Sequence, residues 1–484
     1  MVGITSYGAY VPRRRLNRMA VLTSMGWFAP GLMMAAAGER SFCSWDEDTM
    51  TLAVAASRDC LAGMDKNGVD AAYLASTSLP FKDRQNAGIM ATACNLPEGG
   101  LATGDITASS KSGTTALLAG LDAVKGGDRK SVLVTASDAR PTKAAWFFNL
   151  WYGDGAASLL LGKDKVIAEF LGAHSVSCDF VPSYRGTDAK FDYGWEERWI
   201  RDEGYTKILP EAIKGLLEKT GTSMDEVAKV IYPCHLSKRI HREIGKLVGA
   251  GPDKVVDNMA EVMGDIGAAQ PLAMLIAALE QAKPGDKIVV ASFGQGSDAL
   301  LFQVTDAIQD LPARRGMQGS LAHRKEEDNY SKMLKWRDLM VVDMGIRAEA
   351  KLQTALSALW RDRKLVLGFV GGKCTACGTP QFPKMRMCVN PSCHKVDTQE
   401  DFEFANQSGI VKSFTGDMLA VSVEPPAIYG LVQFNCGGRT MVDFTDCELG
   451  EVKVGMPVGM SFRVKYHDPD RDFHGYFWKA VPQT

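Results

Sequence analysis

Residues 105–121 read DITASSKSGTTALLAGL, a strand that runs through small residues into a helix. Leu117, Leu118, Leu121 and Val124 recur at helical spacing, and Gly126 and Gly127 end the helix. The bend between strand and helix presents Ser110 beside Lys111, Ser112 and Gly113. Free amides at a helix start favour developing negative charge, so the bend can serve a nucleophile or an oxyanion. Serine is also a favoured N-cap, and on local evidence alone Ser110 reads first as the cap of the helix.

The unit around this bend occurs twice. LLAGLDAVKGGD at 117–128 leads into KSVLVTASDA, and LIAALEQAKPGD at 275–286 leads into KIVVASFGQG. Each copy is a helix, a glycine-containing turn and a β-branched strand that ends in small residues. The first copy continues to GDGAASLLLG at 153–162 and the second to GSDALLFQV at 296–304. Two copies of one unit predict a duplicated α/β domain over the first ~310 residues, with helices on a parallel-rich sheet.

Further pieces of the same stretch are GITSYGAYVPRRRL at 3–16, GERSFCSWDEDTMTLAVAA at 38–56, GDIGAAQPLA at 264–273 and AKPGDKIVVASFGQGSDA at 282–299. With the Ser110 bend they make residues 1–306 resemble the thiolase superfamily, most closely its 3-hydroxy-3-methylglutaryl-CoA synthase branch. The resemblance implies a five-layered αβαβα fold, acyl-CoA substrates and carbon–carbon bond formation or cleavage, usually in a dimer. It divides the domain into halves at 1–162 and 163–308, and places substrate contacts at Gly264, Gly294, Gly296 and Lys238.

The chain departs from that family at its chemistry. Where the family has its acyl-accepting Cys, in a pattern of the form A-C-K-A-G-T, this chain has Ser110 within Ala-Ser-Lys-Ser-Gly-Thr once Ser109 is placed first. Thr77 stands where the acid/base Glu belongs. Pro233 takes the position of the catalytic His, with His235 two residues on, and Asp265 replaces the supporting Asn. The expected catalytic set is therefore Ser110, His235, Asp265 and Thr77. His235 is the candidate base, because a neutral imidazole is available near neutral pH. Cys234 is its neighbour and rival, and consecutive strand-end side chains point to opposite faces. Tyr152 is held in reserve.

Of the 484 residues, which suggest about three domains, the formal charge is nearly balanced at −2. No basic and aromatic pattern argues for nucleic acid. No secretory signal and no apolar run of the ~18 residues a membrane helix needs is evident. Eleven cysteines without secretion point to reduced thiols or metal and to a cytoplasmic setting. Cys43, Cys60 and Cys94 read as buried free thiols. Ser44-Trp45-Asp46-Glu47 reads as a capping box for a helix over 48–61. Residues 18–37, rich in Met, Ala and Phe, can line an acyl tunnel, cover a dimer interface or pack as an irregular helix pair. The aromatics at 184–199 fit a lid or surface packing.

Residues 309–366 read as a helical connector, with amphipathic stretches at 333–344 and 348–360 whose Trp336, Leu339, Met340, Leu356, Leu359 and Trp360 call for burial. Then come Cys374-Thr-Ala-Cys377 and Cys388-Val-Asn-Pro-Ser-Cys393. Four thiolates on two tight turns suit a structural zinc, and four Cys leave no open position for catalysis. The ribbon spans 367–398, and short strands over 399–484 read as a small β-barrel. GGKCTACGTPQFP, VDFTDCELGEVKVGMPV and GYFWKAVP make this part resemble the rubredoxin-like zinc ribbon and OB-fold module that accompanies acyl-CoA thiolase-type enzymes.

Three functions follow. One is aldol or retro-aldol chemistry on a β-hydroxyacyl-CoA, which needs a base and an oxyanion site but no acyl-enzyme. Another is a thiolase or synthase that uses Ser110 as acyl acceptor. The third is a silent acyl-CoA-binding scaffold. The expected partners are acyl-CoA, a second copy in a homodimer and a further enzyme subunit, with no nucleic acid and no membrane.

Overall fold

Nine strands join in one sheet in the computed structural model, which describes residues 1–344 and 353–483. They are β1 (Gly3–Tyr10), β2 (Ala71–Ala75), β3 (Ala102–Ile106), β4 (Val132–Asp138), β5 (Gly155–Gly162), β6 (Ala168–Val176), β7 (Val227–Ile231), β8 (Lys287–Gly294) and β9 (Gly296–Val304). Their order is β7-β8-β9-β6-β1-β5-β4-β2-β3. Outward from β1 the first half runs β1-β5-β4-β2-β3, and outward from β6 the second runs β6-β9-β8-β7. In the second half a parallel bridge from Val230 to Val255 takes the place that β3 holds in the first. The sequence repeat is thus a repeat of topology.

Parallel pairings of β2 with β3 and β4, and of β7 with β8, require crossovers, and helices supply them. The helix Asn86–Ala93 serves the crossover from β2 to β3, α1 (Ser112–Gly126) lies on the way to β4, and α2 (Lys238–Leu247) and α3 (Gln270–Leu279) lie between β7 and β8. α3 is apolar on nearly every side, as a helix enclosed by protein must be. Leu117 and Leu121 of α1 and Leu272, Leu275 and Ile276 of α3 are fully buried in one core, each stabilising by about 1.5–3 kcal/mol. The helices meet at Gly113, where a Cβ would lie 2.1 Å from the Ala268 carbonyl oxygen.

The chain divides into two compact units, one of Met1–Ser44, Leu52–Gly88 and Leu96–Met340, the other of Trp45–Thr51, Ile89–Asn95 and Val341–Thr484. In the second, strands Val370–Cys374, Pro380–Gln381 and Gln399–Glu403 form a small sheet that carries the cysteines. Five further strands follow: β10 (Gly409–Asp417), β11 (Ala427–Phe434), β12 (Arg439–Asp443), β13 (Pro457–Asp468) and β14 (Phe473–Pro482). Their order is β12-β11-β10-β13-β14, and a bridge from Phe444 to Ala480 brings the two ends together. Phe404, Phe434, Phe462 and Trp478 fill the inside, as the small OB-type barrel requires.

Several local expectations are corrected. The helix after residue 44 is Thr49–Cys60, and the carboxylate of Asp48, not Ser44, accepts from the Met50 and Thr51 N–H groups. Glu47 is drawn instead into a buried ion pair with Arg463. Residues 18–37 do form the helix Arg18–Met25 and the 3₁₀ turn Pro30–Ala35, but Trp27, Phe28, Met33 and Met34 stay exposed. In the connector only Tyr330–Trp336 and Leu356–Arg361 are helical within the two amphipathic stretches, and residues 348–352 lie outside the described ones. Leu356 and Trp360, expected to be buried, are 57% and 66% exposed. Tyr184, Tyr193, Trp195 and Trp199 are likewise exposed, whereas Cys43, Cys60 and Cys94 are buried thiols. Among the described residues no helix is long and apolar enough to cross a membrane.

Candidate functional site

The bend after β3 turns through Ala108, which sits at φ +69°. The first helical residue of α1 is Ser112, and Lys111 is the N-cap position, with no side-chain cap. Ser110 therefore does not cap the helix. Ser109 carries the structural role, because its hydroxyl accepts from the N–H groups of Lys111 at 3.3 Å and Gln295 at 3.2 Å. This ties the bend to the glycine turn between β8 and β9. Gly294 permits the approach, since a Cβ there would lie 2.5 Å from the Ser109 hydroxyl. Gly296 has φ +78° and no room for a Cβ beside the Val176 carbonyl. Lys111 is spent on Asp298, 3.0 Å away, which also accepts from the hydroxyls of Thr114, Thr115 and Ser175. The lysine next to Ser110 is thus not a free cation.

Ser110 lines a cavity of about 30 Å³ together with Arg140, Tyr152, Tyr205, His235 and Asp265. Each comes from a different part of the first unit. Arg140 follows β4, His235 follows β7, and Tyr205 sits in the π-helical segment Ile200–Ile208, an element often found at functional sites. Asp265 is delivered by Gly264, whose φ of +81° lets residues 264–265 lie against 151–153. There the Asp265 N–H donates to the Trp151 carbonyl at 2.8 Å, and the Gly153 N–H donates to the Asp265 carbonyl at 2.9 Å.

Asp265 is the hub of the polar network. One carboxylate oxygen accepts from the Arg140 guanidinium at 3.0 Å and from the Gly267 N–H at 2.8 Å. The other lies 3.4 Å from Nδ1 of His235, which is also 3.3 Å from the Tyr205 hydroxyl. Burial alone would raise the Asp265 carboxyl, but Arg140 and then His235 outweigh it and hold it at about 2. The guanidinium carbon of Arg140 stands 3.4 Å from the centre of the Tyr152 ring. Burial pushes the phenols of Tyr152 and Tyr205 above their ordinary value, so both keep their protons and can donate near neutral pH. Cys234 packs in the apolar core beside Val230 and Val289, its thiol pushed up to about 12 by burial. It is not among the residues that line the cavity.

Thr77 and Lys238 are placed elsewhere. The Thr77 hydroxyl and N–H both bond to Asp138, which also accepts from Ser76, Ser78 and the Ala268 N–H. Thr77 thus helps to fix a loop and does not line the cavity. Lys238 opens α2 in an exposed ion pair with Glu261 at 2.6 Å. Arg140 and Tyr205, which complete the site, carry no spacing signal in the sequence.

In the second unit the four sulfurs of Cys374, Cys377, Cys388 and Cys393 lie within 4.8 Å of one another. Sulfur pairs stand 3.9 Å (Cys374 and Cys393) and 3.5 Å (Cys377 and Cys388) apart. A tetrahedral ion with bonds of about 2.3 Å has ligand atoms about 3.8 Å apart, so the cluster fits zinc. The hydroxyls of Thr398 and Thr379 lie 3.2 and 3.3 Å from Cys374 and Cys377 and can bond to the sulfurs as outer ligands do.

Comparison with known proteins agrees with this architecture. Residues 217–302 match the 3-oxoacyl-[acyl-carrier-protein (ACP)] synthase III C-terminal family, and residues 405–463 match the family described as ChsH2, C-terminal OB-fold domain. The hydroxymethylglutaryl-CoA synthase of Methanopyrus kandleri is 29% identical over 325 residues, which cover 64% of this chain and 89% of that protein. That of Methanocaldococcus jannaschii is 27% identical over 349 residues, covering 70% of this chain and 99% of the relative. Among solved structures, 3-oxoacyl-(acyl carrier protein) synthase III of Pseudomonas aeruginosa superposes with a TM-score of 0.56 at 18% identity, over 63% of this chain and 98% of that one. Xanthomonas campestris OleA gives 0.55 at 17% identity, over 63% and 98%.

Proposed function

We propose that this chain, a thiolase-superfamily domain followed by a zinc-ribbon-like cysteine cluster and an OB-fold, makes or breaks a carbon–carbon bond in a β-hydroxyacyl-CoA by aldol chemistry. The observation that carries the reading is the His235–Asp265 pair, held by Arg140 in the cavity that Ser110 also lines. An ionised Asp265 accepts from Nδ1–H of His235 and leaves the lone pair on Nε2, the arrangement that orients an imidazole as a base. In the cleaving direction Nε2 takes the β-hydroxyl proton, the oxygen becomes a carbonyl, and the bond between the α and β carbons breaks. Its electron pair passes into the thioester as an enolate, which recovers a proton at the α carbon from the imidazolium. The start of α1 and the protonated phenols of Tyr152 and Tyr205 are the donors available to the developing oxyanion. No acyl-enzyme is needed.

A second reading is favoured by one feature: Ser110 shares the cavity with a His–Asp pair, and that pair can also activate a hydroxyl nucleophile. Ser110→Ala separates the two. Under aldol chemistry it lowers turnover modestly, and mass spectrometry of the wild type with substrate finds no acyl group on Ser110. Abolished turnover together with a serine-bound acyl group would establish the serine nucleophile instead. Relatives named hydroxymethylglutaryl-CoA synthases support acyl-CoA as substrate, and a homodimer is part of the same reading.

The Cys374, Cys377, Cys388 and Cys393 cluster holds one structural zinc in this reading, its four thiolates leaving no position for substrate. Protein purified without chelator should carry one tightly held zinc per chain, and elemental analysis finding none would refute the assignment. Cys374→Ser should loosen the second unit, seen as raised protease sensitivity there, with the first unit's fold retained.

A further inference from the structure

The last two barrel strands, β13 and β14, pair in antiparallel register so that His467 stands directly opposite His474. Directly opposed residues of such a ladder project their side chains to the same face, only about 5 Å apart at Cβ. The two imidazole rings are accordingly 4.8 Å apart between centroids and inclined by 72°. Asp472, in the connecting turn at φ +46°, brings a carboxylate oxygen to 3.2 Å from Nε2 of His467. One donor atom from each of His467, Asp472 and His474 lies within 4.8 Å of the others.

Two imidazoles and one carboxylate are a donor set suited to divalent first-row ions such as Zn²⁺, with the remaining positions open to water. An outer partner is already in place. Nδ1 of His474 is 3.0 Å from Oδ2 of Asp48, which the Tyr476 hydroxyl holds from the other side at 2.7 Å. A carboxylate bonded to one imidazole nitrogen fixes the orientation of the ring, as outer partners of metal-bound histidines do. We propose that His467, Asp472 and His474 form a second metal site, separate from the four cysteines, that binds a divalent transition ion and clamps the β13–β14 hairpin. The hairpin lies at the end of the barrel order, so a clamp there holds the final strand in the sheet.

The test uses the full-length chain with its tightly held zinc, dialysed to constant metal content without chelator and then titrated calorimetrically with Zn²⁺. One further equivalent should bind reversibly. His467→Ala and His474→Ala should each abolish that equivalent while the tightly held zinc remains, and Asp48→Asn should weaken it by about 10- to 100-fold. Co²⁺ bound at the further site should lack the thiolate charge-transfer absorption of a cysteine-bound ion. Circular dichroism of the two alanine variants checks that the barrel persists, which the exposure of His467 makes the expected result. No further equivalent in the wild type, or undiminished binding in the folded His467→Ala variant, would overturn the proposal. Neither outcome touches the function proposed for the first unit.

Discussion

His235→Ala should reduce turnover of a β-hydroxyacyl-CoA by roughly 10²-fold or more, the usual loss for a general acid/base. The His235 side chain is 8% exposed, bonded to a carboxylate held at about 2 and placed at a strand end in the cavity that Ser110 lines, so its removal takes away the group that moves the proton. The fold should survive, because Asp265 keeps its Arg140 and Gly267 partners. Asp265→Asn should cost turnover for a related reason: an amide does not enforce the imidazole tautomer as an ionised carboxylate does. Near-normal turnover of folded His235→Ala would remove His235 from the mechanism and shift attention to Tyr152 or Tyr205.

Arg140→Leu should instead show first in stability. The guanidinium is buried against Asp265 and Tyr152, and removing one partner of a buried ion pair typically costs about 3–5 kcal/mol. The pH dependence carries the signature. In the wild type the Asp265 carboxyl is depressed to about 2, so its contribution is present above the ordinary carboxylate value of about 4 and is lost as pH falls toward 2. In the variant burial is no longer outweighed and the carboxyl rises, which penalises the folded state at neutral pH and relieves it on acidification. The stability gap between wild type and variant, from denaturant titrations of the first unit's tyrosine and tryptophan signals, should therefore narrow from pH 7 toward pH 4. A gap independent of pH would contradict the assigned pairing.

Much of the fold was legible because it rests on patterns that the sequence repeats. The helix, turn and strand units at 117–139 and 275–296 predicted the duplication now seen in strand order, and the four cysteines predicted their own cluster. The candidate site was legible where the resemblance pointed to a position, as it did for Ser110, His235 and Asp265, which line one cavity. Arg140 and Tyr205 were not, because the cavity collects side chains from segments scattered between residues 110 and 265 and no local spacing announces that. Lys111 misleads for the opposite reason. It looks like part of the site next to Ser110, yet Asp298, 187 residues away, neutralises it. The exposed Leu356 and Trp360 show the limit of amphipathic pattern, which tells which face is apolar but not whether anything covers it.

Chemistry without an acyl-enzyme is tested most directly by mixing the purified chain with β-hydroxyacyl-CoA thioesters and following both the released carbonyl compound and the mass of the protein. Aldol chemistry predicts an aldehyde or ketone together with a shortened acyl-CoA in equal amounts, and an unmodified Ser110 throughout. An acyl group accumulating on Ser110, or no carbonyl release from any thioester tried, would contradict it.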